Sequence, residues 1–128
     1  MSEKQEYSRE TIYVTDLVRG KEPVIFGKRF VECVIKGPVF MKLGDRCDIV
    51  FCSVPHEPKL SVTVLPVGAP LTGAVLLADT TFDRCFFDFG AAFIGTKEDA
   101  KLLIPNLETV GLADWKARRS AEEPGDPA

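Results

Sequence analysis

The side chains best able to do chemistry are a single imidazole and a group of acids and bases near the last cysteine. His56 is the one histidine of the chain, so a general base that needs an imidazole must be this residue. It lies between Pro55 and Pro58, in a segment typical of a loop. The acids and bases are Asp79, Asp83, Arg84 and Asp88. With His56 they are the candidate polar site of a small hydrolytic or carbohydrate-active enzyme, and a solvated outer face is the competing interpretation.

The four cysteines indicate packing more than reaction. They are Cys33, Cys47, Cys52 and Cys85, with no CxxC pair among them, so their spacing does not suit a zinc site. Four thiols in a reducing compartment are more often small buried hydrophobes than a disulfide framework. Cys47 stands next to Arg46 and is the one thiol that we would test as a nucleophile. We therefore expect no metal and no cofactor.

Charge and glycine patterns exclude several partner classes. The chain carries a formal charge of -3 and has a pI near 5.2, which gives no general attraction to nucleic acid or to an anionic membrane. No glycine pattern matches a phosphate-binding loop. The charged N-terminus and the absence of a long apolar stretch predict a cytoplasmic protein without a membrane partner. At 128 residues the chain fits one domain.

The cysteines lie in an internal repeat that predicts the elements around them. Segments 30–35, 49–54 and 82–87 all follow the pattern apolar, x, x, Cys, x, apolar, and segment 12–17 fits if Thr15 replaces the cysteine. Steps of 18 and 19 residues suggest successive turns of stacked short strands, and the step of 33 suggests one turn plus an insertion. The insertion falls at residues 55–70, where four prolines predict a protruding loop with a short strand.

Stacking the repeat in register predicts three interior ladders of like side chains, about 4.8 Å apart. Their expected members are listed here in chain order: Thr15, Cys33, Cys52 and Cys85; Leu17, Ile35, Val54 and Phe87; Ile12, Phe30, Ile49 and Phe82. This places apolar side chains in the interior, where burial stabilises the fold.

On these residues the chain resembles small right-handed parallel β-helix proteins, including uncharacterised bacterial proteins of short coils, and it is similar to pentapeptide-repeat proteins. The matching positions are Phe30, Cys33, Ile35, Phe82, Cys85 and Phe87, within residues 11–95. The resemblance implies an all-β fold, a short right-handed parallel β-helix of about four coils with a C-terminal capping helix. A β-sandwich or barrel is the alternative. No catalytic residue follows from the resemblance, and the pentapeptide spacing is broken by the insertion.

The remaining residues divide into a cap and two tails. Thr96 followed by Asp99 is typical of a helix start, and Pro105 ends the apolar stretch behind it. We therefore predict a helix over 97–104 within a C-terminal cap of residues 96–117, next to a β-helix domain over 11–95. Residues 1–10 and 118–128 are predicted to be disordered.

The outward positions beside the ladders suggest an apolar surface. Its candidate members are Val34, Phe40, Phe86, Phe89 and Phe93, and a large exposed apolar patch usually marks a contact. Either the loop 55–70 or the segment 105–115 covers this patch, or a second chain does. We favour the second chain. The sequence thus predicts a non-catalytic structural or protein-binding module that forms homo-oligomers or binds a protein partner, with the small enzyme as the alternative.

Overall fold

The computed structural model describes residues 5–18, 20, 22–66, 74–88 and 90–121. Within them the chain is mostly β, in short strands of two to five residues, with three helices. The strands in chain order are β1 Glu6–Ser8, β2 Thr11–Tyr13, β3 Val24–Phe26, β4 Arg29–Val31, β5 Val34–Lys36, β6 Val39–Leu43, β7 Asp48–Val50, β8 Cys52–Val54, β9 Val62–Val64, β10 Val75–Ala78, β11 Thr81–Asp83, β12 Phe86–Phe87, β13 Ala91–Gly95 and β14 Leu107–Thr109. The helices are α1 Val14–Val18, α2 Lys97–Leu103 and α3 Leu112–Ala121.

The strands form three sheets in which every pairing is parallel. The first sheet has the order β1-β4-β11-β7, the second β14-β8-β12-β5-β2 and the third β3-β10-β6-β13-β9. From β1 to β9 the chain visits the first, second and third sheet in turn, three times over. One core cluster contains buried residues from all three sheets, so the three sheets enclose a common interior.

The order of stacking differs from the chain order that the repeat predicted. The turn that contains β10 to β13 lies between two earlier turns, because β11 pairs with β4 on one side and β7 on the other. In the second sheet β12 likewise lies between β5 and β8, and in the third β10 lies between β3 and β6. Strands of successive earlier turns are therefore separated by a gap one strand wide in each sheet, and the strands of residues 75–95 fill this gap.

Aromatic packing gives a physical reason for this order. Phe82 pairs with Phe30 below and with Ile49 above, and the Phe30 and Phe82 rings stack at 4.9 Å between centroids. Tyr7 continues the column with a stacked ring 5.1 Å from that of Phe30. Stacking in chain order would place Ile49 between the two Phe rings and lose a contact worth about 0.5–1.5 kcal/mol.

The interior ladders are confirmed in part. Phe30, Phe82 and Ile35 are buried as expected. Ile12, however, pairs with Ile35, so it belongs to the ladder that continues through Phe87. The first-turn member of the Phe30 ladder is Tyr7, and segment 12–17 is not a copy of the repeat.

Segment 12–17 instead leads into α1, a short helix that covers one end of the core. Val14, Leu17 and Val18 lie at helical spacing, and they pack against the core cluster with Val14 fully buried. The predicted helix at the other end is present as α2. Thr96 and Asp99 form the expected capping box, and Leu103 enters the core.

Three predicted irregular segments are ordered in the structure. Residues 6–8 form β1, which pairs with β4 and supplies Tyr7 to the interior. Within the expected loop 55–70, β9 pairs with β13 and is a regular strand of the third sheet. Residues 118–121 belong to α3. In β1 and β9 packing against the core outweighs the polar or proline-rich local sequence. Residues 1–4, 67–70 and 122–128 lie outside the described residues.

Candidate functional site

Three cysteines form a buried column at the corner between the first and second sheets. The corner turns sharply because the residue before each cysteine is left-handed, with φ near 50° at Glu32, Arg84 and Phe51. The column runs Cys33, Cys85, Cys52, so its order follows the interleaved turns. The thiols of Cys33, Cys85 and Cys52 donate to the carbonyls of Tyr7, Phe30 and Phe82, at 3.4, 3.2 and 3.3 Å. Each thiol therefore bridges two layers.

The column is unsuited to nucleophilic chemistry. The hydrogen bond with Cys85, together with burial, raises the pKa of Cys33 far above its usual value. Burial is the largest cause that raises the pKa of Cys85. Both groups stay protonated at neutral pH, and the thiol is a weak nucleophile. Cys47 lies at a different corner, is only half-buried, and donates to the Asp45 carbonyl at 3.7 Å.

The predicted polar cluster is not brought together as a site. Asp83, at the end of β11, is paired with Arg84 at 3.0 Å and with Arg29 at 3.3 Å. Asp79 precedes β11 and is paired with Arg46 at 3.7 Å. Asp88 follows β12 on a different sheet and is paired with Lys36 at 3.6 Å. These acids lie at successive corners of one turn, where each takes part in a local ion pair.

His56 is placed near the other end of the core, in the connection from β8 to β9. Its Nδ1 lies 3.4 Å from the Ser61 hydroxyl and 3.2 Å from the Glu57 carbonyl. Its carbonyl accepts a hydrogen bond from the Thr109 hydroxyl at 3.0 Å. These contacts hold the loop against β14 and against the short 3₁₀ helix Pro58–Ser61. The role of His56 here is structural.

The predicted apolar surface is largely internal. Val34 and Phe86 point outward from the second sheet, but α3 covers them, with the Trp115 and Phe86 ring centroids 5.6 Å apart. Phe93 lies in the interior, fully buried. Phe40 is exposed as expected, and Phe89 lies outside the described residues. At Val34 and Phe86 the structure therefore has the intramolecular alternative, in which the segment that follows residue 105 covers the apolar side chains.

An apolar surface is instead present on the outer face of the third sheet. Its exposed members are Val24, Phe26, Phe40 and Leu76, which are 40–60% accessible. Leu76 pairs with Val24 on one side and with Lys42 on the other, so the members lie on adjacent strands. The signal in the sequence is the uninterrupted apolar run 24–26, which places apolar groups on both faces of a strand. This signal was overlooked because we expected each strand to place its apolar side chains on the interior face alone.

A second feature is a groove of about 270 Å³ beside the cysteine corner. Phe51, Ser53 and Trp115 line it together with two acids and two arginines, namely Glu32, Glu108, Arg84 and Arg118. Phe51 is 80% exposed and left-handed, whereas the equivalent corner residues Arg9, Glu32 and Arg84 are polar. An aromatic side chain at this position is the signal that sequence reasoning missed.

Comparisons with protein-family models, with curated proteins and with solved structures find no match. In the part of the chain that the structure describes, no helix has the length and apolar character needed to cross a membrane. Among those same residues, no three His, Cys, Asp or Glu side chains are grouped so that they could hold a metal ion. Function must therefore be argued from the two surfaces themselves.

Proposed function

We propose that the chain is a short right-handed parallel β-helix that acts as a non-catalytic binding module and self-associates through the outer face of the third sheet. The β-helix is supported by three parallel sheets visited in a fixed order and by left-handed corners between three-residue strands. The right hand is expected because connections between parallel strands are right-handed in about 98% of cases. The interleaved turn makes this a variant in which stacking order and chain order differ.

The observation that carries the binding role is the exposed apolar face of the third sheet. Parallel sheets are almost always covered on both faces. The second sheet has α3 on its outer face, with Trp115 packed against Phe86. The first sheet carries ion pairs outside, such as Arg29 with Asp83 at 3.3 Å. The third sheet has Phe26 and Phe40 exposed on its outer face. Of the three outer faces, this is the one whose burial would give the largest hydrophobic stabilisation.

A second copy of the chain fits this face better than a charged partner. Lys42, the cation within the face, is neutralised by Asp99 at 3.0 Å. Two such faces can therefore meet without like-charge repulsion. A twofold axis would place each Phe26 and Phe40 against the same patch of the other copy, as in isologous dimers. The face is made of short parallel strands, and sheets stack face to face at about 10 Å.

The alternative, a small hydrolytic or carbohydrate-active enzyme, has less support. Asp79, Asp83 and Asp88 lie at separate corners and each has its own cation. General acid–base catalysis needs groups that converge on one reacting bond. His56, the only imidazole, is held by Glu57 and Ser61 in a loop connection.

Size-exclusion chromatography with light scattering tests the proposal. We expect the wild-type chain at twice its 14.1 kDa mass, with Phe26→Asp and Phe40→Asp shifted to the monomer. Phe51→Asp is the matched control, because Phe51 is a still more exposed Phe outside the face and should leave the dimer intact. A wild-type monomer at every concentration, or equal disruption by Phe51→Asp, would reject the third-sheet interface.

A further inference from the structure

We propose that the groove beside Phe51 is a binding site for a neutral saccharide, independent of the self-association face. The groove lies between the cysteine corner and α3, with Phe51 and Trp115 among its lining residues. Its volume of about 270 Å³ is just below the range of about 300–1,000 Å³ found for sites of drug-sized ligands. It is therefore sized for one ring of a longer chain.

The charges of the groove exclude a strongly charged ligand. Among the described residues, the lining contains two acids and two arginines, whose charges balance. Arg118 donates to Glu108 at 2.8 Å, and Arg84 is paired with Asp83 at 3.0 Å. Glu32 lies 3.5 Å from Arg9. Neither an anion nor a cation gains a net Coulomb attraction here, but donors and acceptors remain close together.

A buried hydroxyl opens into the groove. Ser53 is 6% exposed and lines the groove. The Ser53 hydroxyl has no hydrogen-bond partner among the described residues, and every fully enclosed side-chain oxygen there does have one. The hydroxyl is therefore not fully enclosed, and we infer that it is accessible from the groove. A buried polar group positioned in this way offers both a donor and an acceptor to a ligand.

The ring of Phe51 supplies the apolar part of the site. It is 80% exposed although its φ is 51°, a conformation that is costly for an aromatic residue. The same left-handed φ recurs at Glu32 and Arg84 as a property of the corner, so an exposed aromatic ring is what distinguishes Phe51 from those positions. A pyranose ring matches the combination, because its flat apolar side covers an aromatic ring while its hydroxyls both donate and accept hydrogen bonds.

Trp115 makes the site directly measurable. It is the single tryptophan of the chain and lines the groove, so its fluorescence reports occupancy. The probes are maltotetraose, cellotetraose, mannotetraose and tetraacetylchitotetraose, with tetragalacturonate, inorganic phosphate and arginine amide as charged comparators. We expect saturable quenching or a blue shift with at least one neutral tetrasaccharide and none with the charged probes.

Variants separate the groove from the rest of the molecule. Phe51→Ala should raise the dissociation constant of the responding saccharide about tenfold, and Ser53→Ala about threefold to tenfold. Phe26→Ala removes an exposed Phe from the other surface and should leave saccharide binding unchanged while it weakens the dimer. The proposal is overturned if no neutral probe alters the fluorescence up to about 10 mM, if only a charged probe does, or if Phe26→Ala weakens binding as much as Phe51→Ala.

Discussion

The buried cysteines show how little a residue type says without its surroundings. A thiol of low pKa is reactive, but the hydrogen bond with Cys85 raises the pKa of Cys33, and burial raises the pKa of Cys85. Their sulfur atoms act as small donors that satisfy carbonyls of the adjacent layer. The repeat predicted these positions as interior. It could not predict the hydrogen bonds, since those depend on which layer lies next to which.

The raised pKa of Cys33 and Cys85 makes stability fall at alkaline pH. A folded-state pKa above the unfolded value near 9.0 means that the contribution is complete below pH 9 and is lost as the pH rises beyond it. We expect the free energy of unfolding to drop by up to about 1.4 kcal/mol per pH unit for each thiol above pH 9. Urea unfolding at pH 7.5, 9 and 10.5 measures the slope.

A variant that lacks one of these two thiols is the control for this experiment. Cys85→Ala should reduce the alkaline slope. In the native protein a thiol reagent such as dithionitrobenzoate should modify Cys47 first, because the other three thiols are buried. Rapid modification of all four thiols without unfolding would contradict the buried column.

Phe51 provides a second prediction at the residue scale. Its φ of 51° favours glycine, and its exposed ring contributes little packing. We expect Phe51→Gly to be as stable as the wild type or up to about 1 kcal/mol more stable, because relief of strain offsets the added freedom of the unfolded chain. Tyr13→Gly is the matched control, since Tyr13 is an aromatic residue that is 46% exposed in strand β2. That change should cost about 0.5–1 kcal/mol. Thermal melts that show equal losses for both variants would refute the strain at Phe51.

At the scale of elements, the sequence predicted most strands and one helix, and it failed where tertiary packing decides. The capping box at Thr96 and Asp99 is a local signal and was predictive. Helix α1 was missed because Ile12 to Leu17 imitates the repeat, although Val14, Leu17 and Val18 stand at helical spacing. Strand β9 was predicted only as a short strand within a protruding loop, because of the prolines around it, and not as a member of the third sheet. Its pairing with β13 joins residues far apart in the sequence, so no local pattern predicts it.

Helix α3 joins the end of the predicted C-terminal cap to the first residues of the predicted disordered tail, and it covers the second sheet. Trp115 is its anchor, buried against Phe86 and Val34. We expect Trp115→Ala to destabilise the protein by about 3 kcal/mol, because a large buried aromatic is removed, and to increase binding of an apolar dye at the exposed sheet. Leu102→Ala, on the exposed side of α2, should change stability by less than about 0.5 kcal/mol. Equal effects in chemical denaturation would show that α3 is not a structural cover.

At the scale of the whole molecule, the interleaved turn is the feature that the sequence did not predict. The repeat determines which side chains face the interior but not the order in which equivalent turns stack, since each turn presents the same pattern to its neighbours. The Phe30 and Phe82 stack favours the observed order. The turns of β4 to β6 and of β7 to β9 are then two strand spacings apart, about 9.6 Å. They complete their pairing only when residues 75–95 lie between them.

Engineered disulfides can distinguish the two stacking orders. Thr81 pairs with Arg29 and with Asp48 on the outer face of the first sheet. In a Cys47→Ser background, Arg29→Cys with Thr81→Cys should cross-link on mild oxidation, because neighbouring strands lie within the Cα separation of about 7 Å that a disulfide allows. Arg29→Cys with Asp48→Cys should stay reduced, since these strands are two spacings apart. Stacking in chain order would reverse both results, so non-reducing mass mapping of the two variants decides between the orders.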